Sequence, residues 1–121
     1  MVSPKLTNIE VVTITSTETE AFINYLKIKE GSIIFSKNLE VKKKLDEANE
    51  DILSLVVEEL RSTYRSTNPE VYTNLSLPVK SDEFENVVPQ IGDKKKLIDL
   101  SLKNALYQKR EKEISKKETK V

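Results

Sequence analysis

Neither cysteine nor histidine occurs anywhere in the 121 residues. The first absence rules out disulfides and thiolate metal sites. The second removes the usual proton carrier near neutral pH and the commonest zinc ligand, so no Ser-His-Asp arrangement exists. Glycine occurs only as Gly31 and Gly92, which leaves no glycine-rich phosphate loop. No apolar run approaches the roughly 20 residues that span a bilayer. The opening Met1-Val2-Ser3-Pro4-Lys5 lacks the apolar stretch of a signal peptide. These absences point to a cytoplasmic protein without a membrane partner. An excess of charge of one sign is missing too: 20 Lys and Arg balance 20 Asp and Glu. That argues against a simple polyanion binder, although a local basic patch survives a neutral total. The length suits one domain with one modest core.

What is present reads as alternating strands and helices. Residues 1–8 form a frayed leader. Ile9 to Thr17 is β-branched almost throughout and suits a strand. Thr17-Glu18-Thr19-Glu20 is a hairpin connection. Ala21 to Lys29 alternates, with Ala21, Ile23 and Tyr25 on one face and Phe22, Asn24 and Leu26 on the other. Glu30-Gly31 is a two-residue turn signal before a third strand, Ser32 to Val41. After Lys42-Lys43-Lys44 comes a helix with Asp46 or Asn49 as its N-cap. Its apolar stripe is Ala48, Ile52, Val56, Leu60 and Tyr64, widened by Leu53 and Val57. Arg61 and Arg65 fall in its last turn, and Ser66-Thr67-Asn68-Pro69 stops it.

A fourth strand spans Glu70 to Leu77 and a short fifth is Val87-Val88, with only a polar turn between them. Asp93 caps a second helix running at least to Lys109. Ile98, Leu102, Ala105 and Leu106 are its expected buried face, and Leu97, Leu100 and Tyr107 form an exposed stripe opposite. Residues 111–121 either extend this helix in solvent or are disordered. The order β-β-β-α-β-β-α gives an α/β (α+β) chain and matches a ribonuclease H-like mixed sheet over residues 9–110. In that plan a meander lies on one side of the sheet and strands parallel to the first lie on the other. A generic two-layer α+β sandwich is the alternative.

The stretch Val88-Pro89-Gln90-Ile91-Gly92-Asp93-Lys94-Lys95-Lys96-Leu97, continued by Leu100 and Lys103-Asn104-Ala105, resembles the central region of the UvrC family of excinuclease proteins. Asn24-Tyr25-Leu26-Lys27, Gly31-Ser32-Ile33-Ile34, Leu39 to Asp46 and Glu58-Glu59-Leu60-Arg61 add to the resemblance, which is strongest to Bacteroidetes-type members. It covers about residues 8 to 112. It departs at Lys80 to Asn86, where many relatives place a helix.

The resemblance implies a part of the UvrABC excinuclease, which cuts damaged DNA on both sides of a lesion in nucleotide excision repair, within the SOS response. Its implied partners are UvrB and damaged DNA, together with the neighbouring nuclease domain of the same polypeptide. On this reading the chain is a fragment between the UvrB-binding motif and the catalytic nuclease domain, and the helix's exposed stripe meets that next domain.

Metal-dependent phosphodiester cleavage on such a sheet needs carboxylates converging on divalent ions, one of them in the middle of the first strand. The centre of Glu10-Val11-Val12-Thr13-Ile14-Thr15 holds no acid. Glu50, Asp51, Glu58 and Glu59 suit a solvated helix face. Asp93 suits a helix terminus, and Asp99 suits an i,i+4 partner of Lys95 or Lys103. The fragment is therefore expected to be catalytically degenerate, with no cofactor, no metal and no small-molecule substrate.

Two roles follow. In the first, the domain is an architectural module in which Lys94, Lys95 and Lys96 hold phosphate at a helix N-terminus. Lys42, Lys43 and Lys44 join them if the fold allows, and plain solvated lysines are the competing reading. In the second, the domain docks on UvrB or the neighbouring nuclease domain through Leu97, Leu100 and Tyr107 without touching DNA.

Overall fold

A computed structural model describes residues 8–118. The expected leader lies outside the described residues, except for Asn8, which opens the first strand. Five strands and two helices follow in the expected order: β1 (Asn8–Ser16), β2 (Glu20–Lys29), β3 (Ser32–Lys42), α1 (Asn49–Thr63), β4 (Glu70–Thr73), β5 (Glu85–Val87) and α2 (Gly92–Glu118). The sheet order is β3-β2-β1-β4-β5. β1, β2 and β3 form the antiparallel meander, while β4 runs parallel to β1 and β5 parallel to β4. This is the mixed ribonuclease H-like sheet that the element order predicts. Among the described residues no helix is long and apolar enough to cross a membrane.

The turns explain the register. Glu30 and Gly31 both take positive φ, 52° and 80°, the two-residue hairpin geometry whose twist matches the strands it joins. At the other hairpin the Thr17 hydroxyl accepts the backbone N–H groups of Thr19 and Glu20, at 3.3 and 3.1 Å, and fixes the polar connection.

Alternation along β1, β2 and β4 divides the core in two. Val12, Ile14, Ala21, Ile23, Tyr25 and Val71 pack on one face against Ile52, Leu53, Val56, Val57 and Leu60 of α1. Ile9, Val11, Leu26, Ile28 and Tyr72 pack on the other face against Ile98 of α2. The helices therefore cover opposite faces of the sheet, which sets aside the two-layer alternative.

Several boundaries differ from expectation for local reasons. β4 stops at Thr73 rather than Leu77. The Asn74 side chain takes over the next rung of the ladder: its Oδ1 accepts the Ile14 N–H and its Nδ2 donates to the Ile14 carbonyl, both at 3.0 Å. β5 lies two residues upstream of the expected Val87-Val88, because Glu85 pairs with Glu70 and its N–H reaches the Pro69 carbonyl at 2.8 Å. Residues 74–84 make the parallel β4–β5 crossover without a helix, as the shortness of that segment foretold.

Neither expected cap closes α1. Ala48 is the N-cap residue and provides no side-chain bond, Asn49 is already helical, and Asp46 sits in a left-handed turn at φ 68°. Glu47 instead turns back and accepts the Lys44 N–H at 3.0 Å. Arg65 lies beyond the helix, at φ 50°.

α2 crosses its face of the sheet diagonally. Lys94 lies at Tyr72 of β4, Ser101 at Thr13 of β1 and Asn24 of β2, and Gln108 and Lys112 at Leu39 and Glu40 of β3. Its fully buried residues are Ile98, Ser101 and Ala105, one stripe at i, i+3 and i+7. Leu106 was expected on that stripe but is 45% exposed, being turned a full residue step away from Ala105. Ser101 is the residue that the apolar pattern could not place. Its single proton goes to Asn24 Oδ1 at 2.8 Å, so it accepts the Thr13 hydroxyl at 2.7 Å. Asn24 Nδ2 continues the chain to Asn38 Oδ1 at 2.7 Å. The segment from Glu111 continues the helix as far as Glu118.

Candidate functional site

The lysines flagged by the sequence do not form one patch. Gly92, at φ 81°, turns the chain out of Val88-Pro89-Gln90-Ile91 and starts α2, with Asp93 in its first turn. Lys94 folds back over the Tyr72 ring, its Nζ 5.0 Å from the centroid. The Tyr72 hydroxyl beside it raises the pKa of Lys94, while burial raises that of the Tyr72 phenol, whose hydroxyl donates to Glu70 at 3.1 Å. Lys95 pairs with Asp99 at 2.5 Å, the i,i+4 pair expected from the sequence. Lys96 is exposed and has no ion-pair partner among the described residues. A phosphate at this terminus would meet one unengaged lysine and two that must leave their present partners.

Lys42, Lys43 and Lys44 lie at the end of β3 and just beyond it. Lys43 Nζ is 3.4 Å from Ser16 Oγ, and its N–H donates to the Thr19 carbonyl at 2.8 Å. Lys42 and Lys43 border a shallow concavity with Thr19, Glu20 and Lys112. Lys112 is held there by Glu40 at 3.2 Å and Glu20 at 3.7 Å, and the Glu40 hydrogen bond raises its pKa. The eighteen positions from Lys94 to Lys112 amount to about 27 Å of helix. The condition under which the two lysine runs would act as one site is therefore not met.

The expected docking stripe also splits. Leu97 is half-buried and packs against the second core cluster, beside Ile98. Leu100 and Tyr107 face outward, 39% and 65% exposed, and Ile114, which the sequence reading left in the charged tail, is 42% exposed.

The most elaborate polar cluster is one the sequence reading did not assemble. Glu10 is fully buried in β1. Its Oε1 accepts Arg61 Nη1 at 2.8 Å and also the Ser66 hydroxyl, and its Oε2 accepts the Tyr25 hydroxyl at 2.6 Å. The Arg61 guanidinium also lies 4.7 Å from the centroid of the Phe84 ring. Burial, and then the Glu10 carboxylate, raise the Tyr25 pKa well above the usual phenol range. The available signal was Arg61 itself, a charge standing four residues after Val57 on an otherwise apolar helix face.

The family model of the UvrC ribonuclease H-like domain matches residues 8–112. The chain belongs to that family. It is 46% identical over 110 residues to UvrABC system protein C of Flavobacterium johnsoniae, an alignment covering 88% of this chain and 18% of the relative. It is 40% identical over 107 residues to the protein of the same name from Cytophaga hutchinsonii, with the same coverage. The Porphyromonas gingivalis protein is 31% identical over 113 residues, 93% of this chain and 19% of the relative. The UvrC domain thus spans less than a fifth of the length of these curated relatives, all from the Bacteroidetes-type group that the sequence resembled. No solved structure matches it.

In this UvrC domain the middle of β1 is Val11, Val12 and Thr13, and the strand's one carboxylate is already engaged by three donors. Among the described residues, no three His, Cys, Asp or Glu side chains come together in a way that could hold a metal ion.

Proposed function

We propose that this UvrC domain is a non-catalytic architectural module of the UvrABC system, serving nucleotide excision repair by presenting the Lys94–Lys96 end of α2 to damaged DNA. In the longer polypeptide, cutting would belong to other domains, and UvrB and the neighbouring nuclease domain would be its protein partners. Residues 9–110 act as one unit, with the rest of α2 as its extension, in the cytoplasm.

The observation that carries this reading is the division of charge hidden inside a neutral total. Among the side chains described, α2 has seven basic and four acidic residues, whereas α1 has one basic and four acidic. That one basic residue, Arg61, is buried against Glu10. Phosphates are attracted to one layer of the molecule and repelled by the other. The carboxylate chemistry supports the non-catalytic half of the reading. Binding a divalent ion at Glu10 would strip Arg61, Tyr25 and Ser66 of their acceptor.

The test is fluorescence anisotropy of labelled duplex DNA titrated with the chain across a salt series. Binding should weaken steeply with salt. K94A/K95A/K96A should weaken it several-fold more than K42A/K43A/K44A, because the second run lies about 27 Å of helix away. Absence of binding at low salt, or equal loss in both variants, would sink the α2 assignment.

A second reading is favoured by the outward Leu100 and Tyr107, since apolar side chains gain nothing from phosphate. In it the same helix docks a protein partner.

A further inference from the structure

Leu100, Tyr107 and Ile114 are spaced seven apart on α2 and are 39%, 65% and 42% exposed. Seven residues are nearly two helical turns, so the three lie along one line about 21 Å long, on the side facing away from the sheet. Lys96, Lys103 and Arg110 alternate with them at spacings of three and four. All three are exposed, and none has an ion-pair partner among the described residues. Apolar and basic side chains thus alternate down a single seam with the three-four spacing of a coiled coil.

We propose that this seam receives an amphipathic helix from a partner, carrying an apolar residue every seventh position and acidic residues between them. The inference deepens the docking reading and rests on it.

A second copy of the chain does not fit. Parallel pairing would set Lys103 against Lys103 and Arg110 against Arg110. Antiparallel pairing would set the apolar positions of each copy against the basic positions of the other. A partner with acids at those positions satisfies every layer. The acids at the far end, Glu111 and Glu113, centre the positive stretch on Lys103 and place the partner's acids opposite Lys96 and Lys103. Duplex DNA held at the Lys94–Lys96 end of α2 would leave Leu100, Tyr107 and Ile114 in water, so the apolar seam itself calls for a protein.

The probes are synthetic three-heptad peptides with Leu at every seventh position and Glu either three or four residues later. Glu three residues on suits parallel docking and Glu four residues on suits antiparallel docking. Matched peptides carry Gln or Lys in place of Glu. Binding to the 15N-labelled chain is followed by amide chemical shifts.

One Glu peptide should bind about tenfold more tightly than its Gln version, and the Lys version should be weakest, the size expected from two or three exposed ion pairs. Shifts should centre on Lys96 to Ile114, and K96E/K103E should reverse the order of the Glu and Lys peptides. Equal affinities for Glu, Gln and Lys peptides would overturn the acidic partner and leave docking standing. No shift with any peptide would overturn both. Labelled duplex DNA that displaces a bound peptide only in the wild-type chain would reassign the basic residues to phosphate.

Discussion

The two helices of the UvrC domain meet the same sheet in opposite ways. α1 covers its face with five large aliphatic side chains and one buried ion pair, and its remaining surface is acidic. α2 meets its face through Ile98 and two small residues, Ser101 and Ala105, and adds a hydrogen-bond chain from Thr13 to Asn38. Its length then exceeds what the sheet can cover, and its outer side alternates apolar and basic residues. α1 is a core element with its chemistry used inside the molecule. α2 is a lever fixed at the sheet and free along its outer edge. Function in this domain is therefore expected on α2, and the cost of disruption on α1.

The largest effect tests the α1 side of that contrast. Arg61→Met leaves the Glu10 carboxylate buried without its cation, which should destabilise the domain by about 3–5 kcal/mol. Removing the pair together, as Glu10→Gln with Arg61→Met, should recover much of the loss. Urea unfolding followed by circular dichroism measures both. If the single and double variants unfold at the same midpoint, the cluster is not the clamp that holds the end of α1 to β1.

On α2 the corresponding change is smaller. Ser101→Ala keeps the close approach to the sheet but leaves the Thr13 hydroxyl and Asn24 Oδ1 without the partner they share. The expected loss is about 1–3 kcal/mol by the same unfolding experiment. A loss equal to that of Arg61→Met would erase the difference between the helices, and no loss at all would mean that Ile98 and Ala105 alone seat α2.

How far the sequence carried this contrast depends on which physical signal each residue gives. The β-branched run of β1, the alternation of β2 and the 3.6-residue spacing of α1 are direct signals of those element types, and these elements stand within a residue or two of expectation. The Glu30-Gly31 turn was legible for the same reason, since few residue pairs accept two positive φ angles. The end of β4 was not, because Asn74 competes for the ladder with its side chain, and alternation continues past it to Leu77. Leu106 and Ser101 were misplaced because hydropathy ranks a leucine above a serine, whereas a helix lying close on a sheet selects small residues. The Glu10, Tyr25, Arg61 and Ser66 cluster was hidden by separation along the chain, fifty-one residues between its two charges. The lysine runs were easy to see, but only the fold shows that they stand at opposite ends of α2 and that Lys94 and Lys95 already have partners.

The smallest stability effect carries the most information about function. Tyr107 is 65% exposed and has no hydrogen-bond partner among the described residues, so Tyr107→Ser should move the unfolding free energy by no more than about 0.5 kcal/mol. The same change removes the middle apolar residue of the seam, between Lys103 and Arg110. If α2 is a lever with a docking edge, Tyr107→Ser should abolish binding of the Glu peptide while the amide spectrum of the sheet stays unchanged. A change that lowers stability by as much as Ser101→Ala would place Tyr107 in the fold rather than on its edge. The outer side of α2 would then be a continuation of the core.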